Sequence, residues 1–574
     1  MPLTVKYEFD ARVPMRDGVE LSADIYFPPE PGEYPAILQR TPYDNIQPYW
    51  VQVGEYFARH GYVFVSQDVR GRGDSDGKFV PFQNEANDGY DTIEWVAQQP
   101  WCNGKVGMMG GSYNGFVQWA AAKELPPHLV TVASSASAAR PMQDYPYKNG
   151  KMMLFIMSWL NRIGGRTSQD SGAADSWPKS PVDWKKVLLY RPLKAAMDDV
   201  VGRKNTVWRE WLAHPNFDEY WRSLLVVDGF DKIDLPSLHI TGWYDNAILG
   251  EFYFHDRMQA ESPAVGKQFL LVGPWDHMGT RAPAQVLGGI DFTPASVVDI
   301  LDVHLRWFDR WLKGETNGDW DGDRVRIFVM GRNQWRTEKA WPLPDAQTVT
   351  YYLHSGGRAN SSAGDGLLNR DAPGTEPTDA YAYDPLAPTL GAPDFDAFVD
   401  STGREAYKNS FLPLVQTEVE QRRDVLVYNG EPLAEEIEVT GTPVAVLYAA
   451  SDALDTDFAA VLGDVYPDGR SVRVAEGILR ACYRESLARP SLLTPGQVYE
   501  YRIELNPVSI AFLPGHRIRL SVMSCRFPMW DRNANTGTPI GEDGEVRVAH
   551  QELHHTAAHP SRVELPVIPA RRPK

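Results

Sequence analysis

The segment Gly110-Gly111-Ser112-Tyr113-Asn114-Gly115 sets one serine among glycines, where an apolar run ends and a helical pattern begins. A strand-to-helix turn of this kind accepts only small neighbours and presents the serine hydroxyl as a nucleophile. The spacing departs from G-x-S-x-G, because Asn114 stands where the second glycine belongs and Gly115 comes one residue late. A phosphate cradle would need G-x-x-x-x-G-K-[ST], which is absent; a plain tight turn is the other reading. A serine hydroxyl is a weak nucleophile until a base takes its proton, so a histidine and an orienting carboxylate must follow. The chain offers Asp245 in Gly242-Trp243-Tyr244-Asp245 and His277 in Gly273-Pro274-Trp275-Asp276-His277, each directly after an apolar run.

Rival groups fare worse on placement. Asp276 abuts His277 but would point elsewhere, so Asp245 is the preferred partner. His304 lies on the apolar side of a helix and reads as core, while His550, His554 and His555 fall in β-rich or tail sequence. His550 and His554 have metal-like spacing, yet the text between them is not H-E-x-x-H and no third ligand is near. Asp74-Ser75-Asp76-Gly77 has the look of a calcium loop, but Lys78 breaks the ligand pattern, and a solvated turn is the simpler reading. The expected site therefore has no metal, and its chemistry needs no cofactor.

The surrounding elements place the candidates consistently. A hairpin turning at Asp17-Gly18 precedes alternating strands and helices: strands at 35–38, 62–66 and 106–109, helices near 87–99 and 113–123, then strands 237–241 and 268–272 around a helix at 249–260. That alternation predicts a parallel sheet covered on both faces, with Ser112, Asp245 and His277 at carboxyl ends of its strands, where open α/β sheets bind ligands. An amphipathic helix from Ile300 to Leu312, stopped by Gly314, is expected to close this unit. From 143 to 236 the strand runs vanish and Trp159, Trp177, Trp184, Trp208, Trp211 and Trp221 appear, which reads as a helical cap. After residue 348 short β-rich runs between Pro, Gly and Asp turns predict an antiparallel sandwich, with long loops at 355–396. The fold class is thus α/β, an α/β-hydrolase core (1–142 and 237–348) with an inserted helical cap (143–236) and a C-terminal β jelly roll (349–574).

Bulk properties narrow the partners. With 574 residues the chain exceeds one hydrophobic core, and 43% hydrophobic and 23% charged residues are ordinary globular values. A net charge of −18 without a basic run argues against nucleic acid and against an anionic membrane surface. Cys102, Cys482 and Cys525 are odd in number and lack C-x-x-C spacing, as suits a reducing compartment, and the sequence reads as soluble and cytoplasmic.

In Met15-Arg16-Asp17-Gly18-Val19, Arg40-Thr41-Pro42-Tyr43, Asp68-Val69-Arg70-Gly71, the G-x-S-Y-x-G elbow, Gly242-Trp243-Tyr244-Asp245 and Gly273-Pro274-Trp275-Asp276-His277, the sequence resembles the cocaine esterase and X-prolyl dipeptidyl-peptidase family of serine hydrolases. That family also includes α-amino-acid ester hydrolases and glutaryl-cephalosporin acylases. The likeness runs on through Asp455-Thr456-Asp457-Phe458, Pro467-Asp468-Gly469, Pro514-Gly515-His516-Arg517 and Asp531-Arg532-Asn533, nearly the whole chain. It implies that S-Y-x-G is the family's own elbow and that the oxyanion is held by the backbone N–H of Tyr113 and the hydroxyl of Tyr43. It also implies a serine carboxylesterase working on small-molecule esters through an acyl-enzyme, a homodimer being a further family trait. An amidase or acylase would use the same triad, and a catalytically inert ligand-binding protein is the alternative of a different class. Relatives specific for α-amino acids carry acidic residues two and three positions after the triad aspartate, where this chain has Ala247 and Ile248. The expected acyl pocket is therefore apolar, built from Ala247, Ile248, Trp159 and Trp177, with Asp144 as one carboxylate that could approach from another side.

Overall fold

The computed structural model describes residues 4–138, 140–167, 182–202, 204–316, 320–391 and 412–569. Its first half contains β1 (Lys6–Pro14), β2 (Glu20–Phe27), β3 (Tyr34–Thr41), β4 (Val63–Asp68), β5 (Cys102–Gly111) and β6 (Leu129–Ser135). A short ribbon, β7 (Tyr147–Lys148) with β8 (Lys151–Met152), precedes β9 (Ser237–Tyr244) and β10 (Gln268–Asp276). A second ribbon, β11 (Val286–Leu287) with β12 (Ile290–Asp291), precedes β13 (Val325–Val329) and β14 (Gln334–Glu338). Ribbons aside, these strands form one sheet in the order β1-β2-β4-β3-β5-β6-β9-β10-β13-β14. From β4 to β13 neighbours run parallel, while β1, β2 and β14 add antiparallel edges.

Alternation along the strands sorts side chains onto two apolar faces. Ile37, Phe64, Met109, Leu238, Ile240, Phe269 and Leu271 pack under α1 (Pro48–Arg59) through Trp50, Val53 and Phe57. Leu38, Val63, Val65, Val106, Met108, Leu270 and Val272 face the opposite core, with Ile93 and Val96 of α2 (Glu85–Ala97) and Phe116, Val117 and Trp119 of α3 (Tyr113–Lys123). Between β8 and β9 come α4 (Phe155–Ile163), α5 (Trp184–Leu189), α6 (Thr206–Ala213) and α7 (Glu219–Leu224). Trp184, Trp208, Trp211 and Trp221 on these helices are all buried as core, Trp159 is half-buried, and Trp177 lies outside the described residues. Beyond β9, α8 (Ile248–Glu261) packs with the second core, and α9 (Ile300–Phe308) joins α1 on the first.

Several expectations need correction. Neither α1 nor β6 was legible, and the amphipathic helix does not close the unit, since β13 and β14 extend the sheet after it. Regular α-helix ends at Phe308; residues 309–313 form a wider turn that stops at Gly314 in the left-handed region. The stretch 355–396, expected as loops, contains strands Leu367–Asn369 and Asp379–Tyr383, and its end from 392 lies outside the described residues.

From Gln347 to Ile568 the described residues form a second, 13-stranded sheet system, antiparallel except for the Leu367–Asn429 pairing. It is fastened to the first half through buried charge. Lys151 of β8, fully buried, pairs with Asp457, which also receives Arg480 Nε at 3.0 Å; Arg480 Nη2 reaches Asp531 at 2.5 Å. Asp531 in turn accepts the Met152 backbone N–H at 2.7 Å. Removing one member of such a cluster leaves uncompensated charge in a dry site, so Lys151→Met should destabilise the protein by about 3–5 kcal/mol. Thermal unfolding should show a clearly lowered midpoint, whereas Lys232→Met at an exposed position should change it little.

Candidate active site

Ser112 joins β5 to α3 with φ 64° and ψ −124°, a conformation that costs a non-glycine residue about 1–3 kcal/mol. Two glycines make the turn possible. A Cβ on Gly110, itself at φ 141°, would lie 2.7 Å from Asn114 Cβ, and one on Gly115 would lie 2.9 Å from Ser137 Cβ. The close approach thus falls at Gly115 rather than at Asn114, which explains the displaced glycine. The Ser112 N–H is anchored on Ser135 O at 2.9 Å.

Register brings the other two candidates together. Parallel β9 and β10 pair Gly242 with Gly273, then Tyr244 with Asp276, so β10 carries one extra residue between the two contacts. Because side chains alternate, that bulge re-aims everything after it. Asp245 and His277, the next residue on each strand, therefore meet, with His277 Nδ1 2.8 Å from Asp245 Oδ1. The bulge needs glycine, since a Cβ on Gly242 would collide with the backbone oxygen of Trp275. Asp245 is fully buried, and its carboxylate also accepts Thr241 Oγ1 and the Ala247 N–H, both at 2.9 Å. With Nδ1 donating to that carboxylate, Nε2 of His277 carries the acceptor lone pair of the neutral imidazole. Asp276 points elsewhere, taking the Gly279 N–H at 2.7 Å.

The tyrosines are held differently. The Tyr113 hydroxyl is turned into the core, donating to Glu85 Oε1 and accepting from Phe82 N, both at 2.8 Å, so only the backbone of Tyr113 remains for an oxyanion. Burial first, then the Glu85 charge, raise that phenol well above its ordinary range. The Tyr43 hydroxyl instead accepts the indole N–H of Trp159 at 3.0 Å. Ala247 and Ile248 are buried at the start of α8. Asp144 is buried too, its carboxylate against Gly250 in that same helix. Sequence reasoning missed Thr241, Glu85 and the Trp159–Tyr43 contact. Each acts through a partner far away in the chain or lies outside any motif, so no local signal marks it.

A strained serine at a strand-to-helix elbow, with a histidine–carboxylate pair on neighbouring strand ends, defines the class: this is a serine hydrolase acting on ester or amide bonds, as its relatives are. Residues 17–279 match the X-Pro dipeptidyl-peptidase (S15) family and residues 318–564 match the X-Pro dipeptidyl-peptidase C-terminal non-catalytic domain. Cocaine esterase of Rhodococcus sp. strain MB1 Bresler is 36% identical across 97% of this chain and 97% of its own. A putative serine esterase of Mycobacterium bovis is 26% identical across 97% and 94%. Of solved structures, an aminopeptidase from a Thaumarchaeota archaeon superposes with a TM-score of 0.86 at 27% identity, covering 99% of this chain and 97% of that one. An α-amino acid ester hydrolase gives 0.85 at 26%, covering 98% and 96%. The chain belongs to the S15 family of serine hydrolases that includes cocaine esterase.

Behind the elbow lies a buried polar layer. Glu251 accepts Ser134 Oγ at 2.9 Å and the Ser137 N–H at 2.8 Å, and its other oxygen meets His239 Nδ1 at 2.8 Å. Burial pushes the Glu251 carboxyl up to about 8 and the His239 imidazole down to about 4. Between those values the folded pair keeps one proton, on Glu251. In the unfolded chain the last proton leaves once pH passes the ordinary histidine value of 6.5. The folded state therefore binds the extra proton from about 6.5 to 8, and stability must fall as pH rises through that window, by about 2 kcal/mol. Glu251→Gln removes the titrating group, so its stability should be flat there. Thermal unfolding of both proteins at pH 6.5 and 8.5 checks this, and a parallel decline in the two would refute it.

Proposed function

We propose that this protein is a serine carboxylesterase that hydrolyses small esters with an uncharged acyl group, with Ser112 as nucleophile, His277 as general base and Asp245 as its orienting carboxylate. The observation that carries the reading is the 2.8 Å contact between His277 Nδ1 and the buried Asp245, in the same sheet whose strand β5 ends in a serine held in a strained elbow. Ser112 Oγ adds to the ester carbonyl while its proton passes to His277 Nε2. The tetrahedral oxyanion takes the Tyr113 N–H and the Tyr43 hydroxyl. His277 then returns the proton to the departing alkoxide, and the acyl-enzyme forms as the carbon–oxygen bond breaks. Water, deprotonated by the same imidazole, repeats the addition and releases the acid. On this reading residues 1–142 and 237–348 are the catalytic core, 143–236 a cap, and 349–574 a jelly roll outside the chemistry.

The uncharged acyl group follows from Ala247 and Ile248. Burying an ammonium beside them without a carboxylate would carry a large desolvation cost. The exposed Met278 next to His277, and the exposed Ile46 three residues past Tyr43, add apolar surface beside two of the proposed site residues. Asp144 is the one observation favouring the runner-up, an amino-ester or aminopeptidase-type substrate, because it sets a carboxylate near the first turn of α8.

Two measurements test the proposal. Ser112→Ala and His277→Ala should each lower kcat by about 10⁴-fold or more without unfolding the protein, because triad members act as a unit. Retention of a tenth of the activity would refute the assignment. At neutral pH, kcat/KM for methyl phenylacetate should equal or exceed that for phenylglycine methyl ester; a tenfold preference for the amino ester would move the assignment to the Asp144 reading.

A further inference from the structure

Trp159 sits on α4, outside the sheet that carries Ser112, Asp245 and His277, yet its indole is the hydrogen-bond partner of the Tyr43 hydroxyl at 3.0 Å. An indole N–H donates and cannot accept. The phenol oxygen is therefore the acceptor in this pair, and its own hydrogen must point elsewhere. Among the described residues no protein group takes that hydrogen. A hydroxyl ordinarily rotates to suit its surroundings. Here one lone pair is occupied from a fixed direction, so the remaining hydrogen has a restricted arc.

Both members of the pair are anchored. Arg72, 1% exposed, donates from Nε to Pro42 O at 2.7 Å and from Nη1 to Ile163 O at 2.9 Å. One guanidinium thus ties the residue before Tyr43 to the last residue of the helix carrying Trp159. The Trp159 ring is held between Tyr113 and Trp211, with centroids 6.1 and 6.4 Å away, and the Arg162 guanidinium lies 5.3 Å from the Tyr43 ring centre. The indole is thereby bracketed by the residue that follows the nucleophile and by a buried tryptophan of α6.

We propose that Trp159 is a positioning residue for the oxyanion: its N–H holds the Tyr43 hydroxyl as an acceptor on one side and so presents the phenolic hydrogen to the carbonyl oxygen that becomes negative in the tetrahedral intermediate. This rests on the assignment of Tyr43 made above. Linked hydrogen bonds polarise one another, so the donated N–H also strengthens the phenol as a donor once charge develops on the substrate oxygen. The effect belongs to the transition state and should appear in kcat rather than in KM. A tryptophan that only lined the pocket would do the reverse.

The test compares Trp159→Phe, Tyr43→Phe and the double variant on phenyl acetate, with kcat and KM measured for each. Tyr43→Phe should lower kcat by about 10²–10³-fold, as loss of an oxyanion donor does. Trp159→Phe should lower it by about 10–100-fold with KM within about twofold, in the range of other groups that orient a reacting group. The double variant should be no slower than Tyr43→Phe alone. Replacing residue 159 by β-(3-benzothienyl)alanine keeps the shape and deletes only the N–H, so it should reproduce the loss even if Trp159→Phe folds poorly. The proposal is overturned if the two losses multiply, if only KM moves, or if the benzothienyl variant keeps wild-type kcat. If Tyr43→Phe itself leaves kcat unchanged, the oxyanion assignment fails and this inference with it.

Discussion

Holding one serine in a backbone conformation that serine avoids is the constraint on which the rest of this structure depends. The strain at Ser112 persists only because its surroundings over-determine it. Strand β5 fixes the chain before it, Ser135 O takes its N–H, and Gly115 lets α3 approach Ser137 closely enough that the helix cannot swing away. Ser137 is held in turn by Glu251 of α8, the helix that begins three residues after Asp245. Ser112 and Asp245 are thus braced through one buried carboxyl, although 133 positions separate them in the chain. Burial pushes that carboxyl towards its neutral form, and a neutral acid both donates and accepts.

The same logic explains why the β-rich second half is joined by charge instead of by grease alone. Lys151, Arg480, Asp457 and Asp531 are all buried, and each meets an opposite partner. In the same half Arg473 and Arg526 both pair with Glu476, which is also buried. Such clusters add little net stability over apolar packing, but they tolerate no slippage, because any shift leaves a bare charge in a dry site. The Lys151 cluster clamps the 147–152 ribbon, seven residues before Trp159 on α4. The second half thereby helps set the entry of the helix that touches Tyr43 without supplying any of the proposed catalytic groups.

The legible and illegible parts of the sequence differ in a physical way. Ser112, Asp245 and His277 could be picked out because each ends an apolar run, and a buried parallel strand must be an apolar run. The helix after Ser112, expected near 113–123, spans Tyr113–Lys123. Strand β6 hid because Val-Thr-Val-Ala-Ser-Ser is rich in small polar residues; Ser134 faces both Glu251 and Gly115, so the chain gave up apolarity there to build the polar layer. Strands β13 and β14 were overlooked since nothing in Val325–Val329 says that it pairs with β10 across a long connection. The one-residue bulge in β10 left a trace in the paired Gly242 and Gly273, but only register shows what the glycines are for. The sequence offers Trp159 as a pocket wall but not as a partner of Tyr43, because a contact spanning 116 positions has no periodicity to reveal it.

This division of labour bears on how one scaffold serves esterases and peptidases alike. The groups proposed to move a proton and attack a carbonyl lie at the carboxyl ends of β5, β9 and β10, where backbone pairing and glycine packing leave almost no freedom. The groups that would recognise an acyl chain or an amine lie on the first turn of α8, on α4 and on the loop bearing Asp144, where side chains can change without disturbing a strand. A replacement of Ala247 or Ile248 by an acid would alter the charge that the pocket accepts while Asp245 kept its bonds to Thr241 and to the backbone of residue 247. Tyr43 stands between the two layers. On the proposed assignment it serves the chemistry through its hydroxyl, which accepts the indole N–H of Trp159 on α4. If that assignment holds, a change in residues 143–236 that suits a new substrate must preserve that one donor, or the gain in binding is lost again in the transition state.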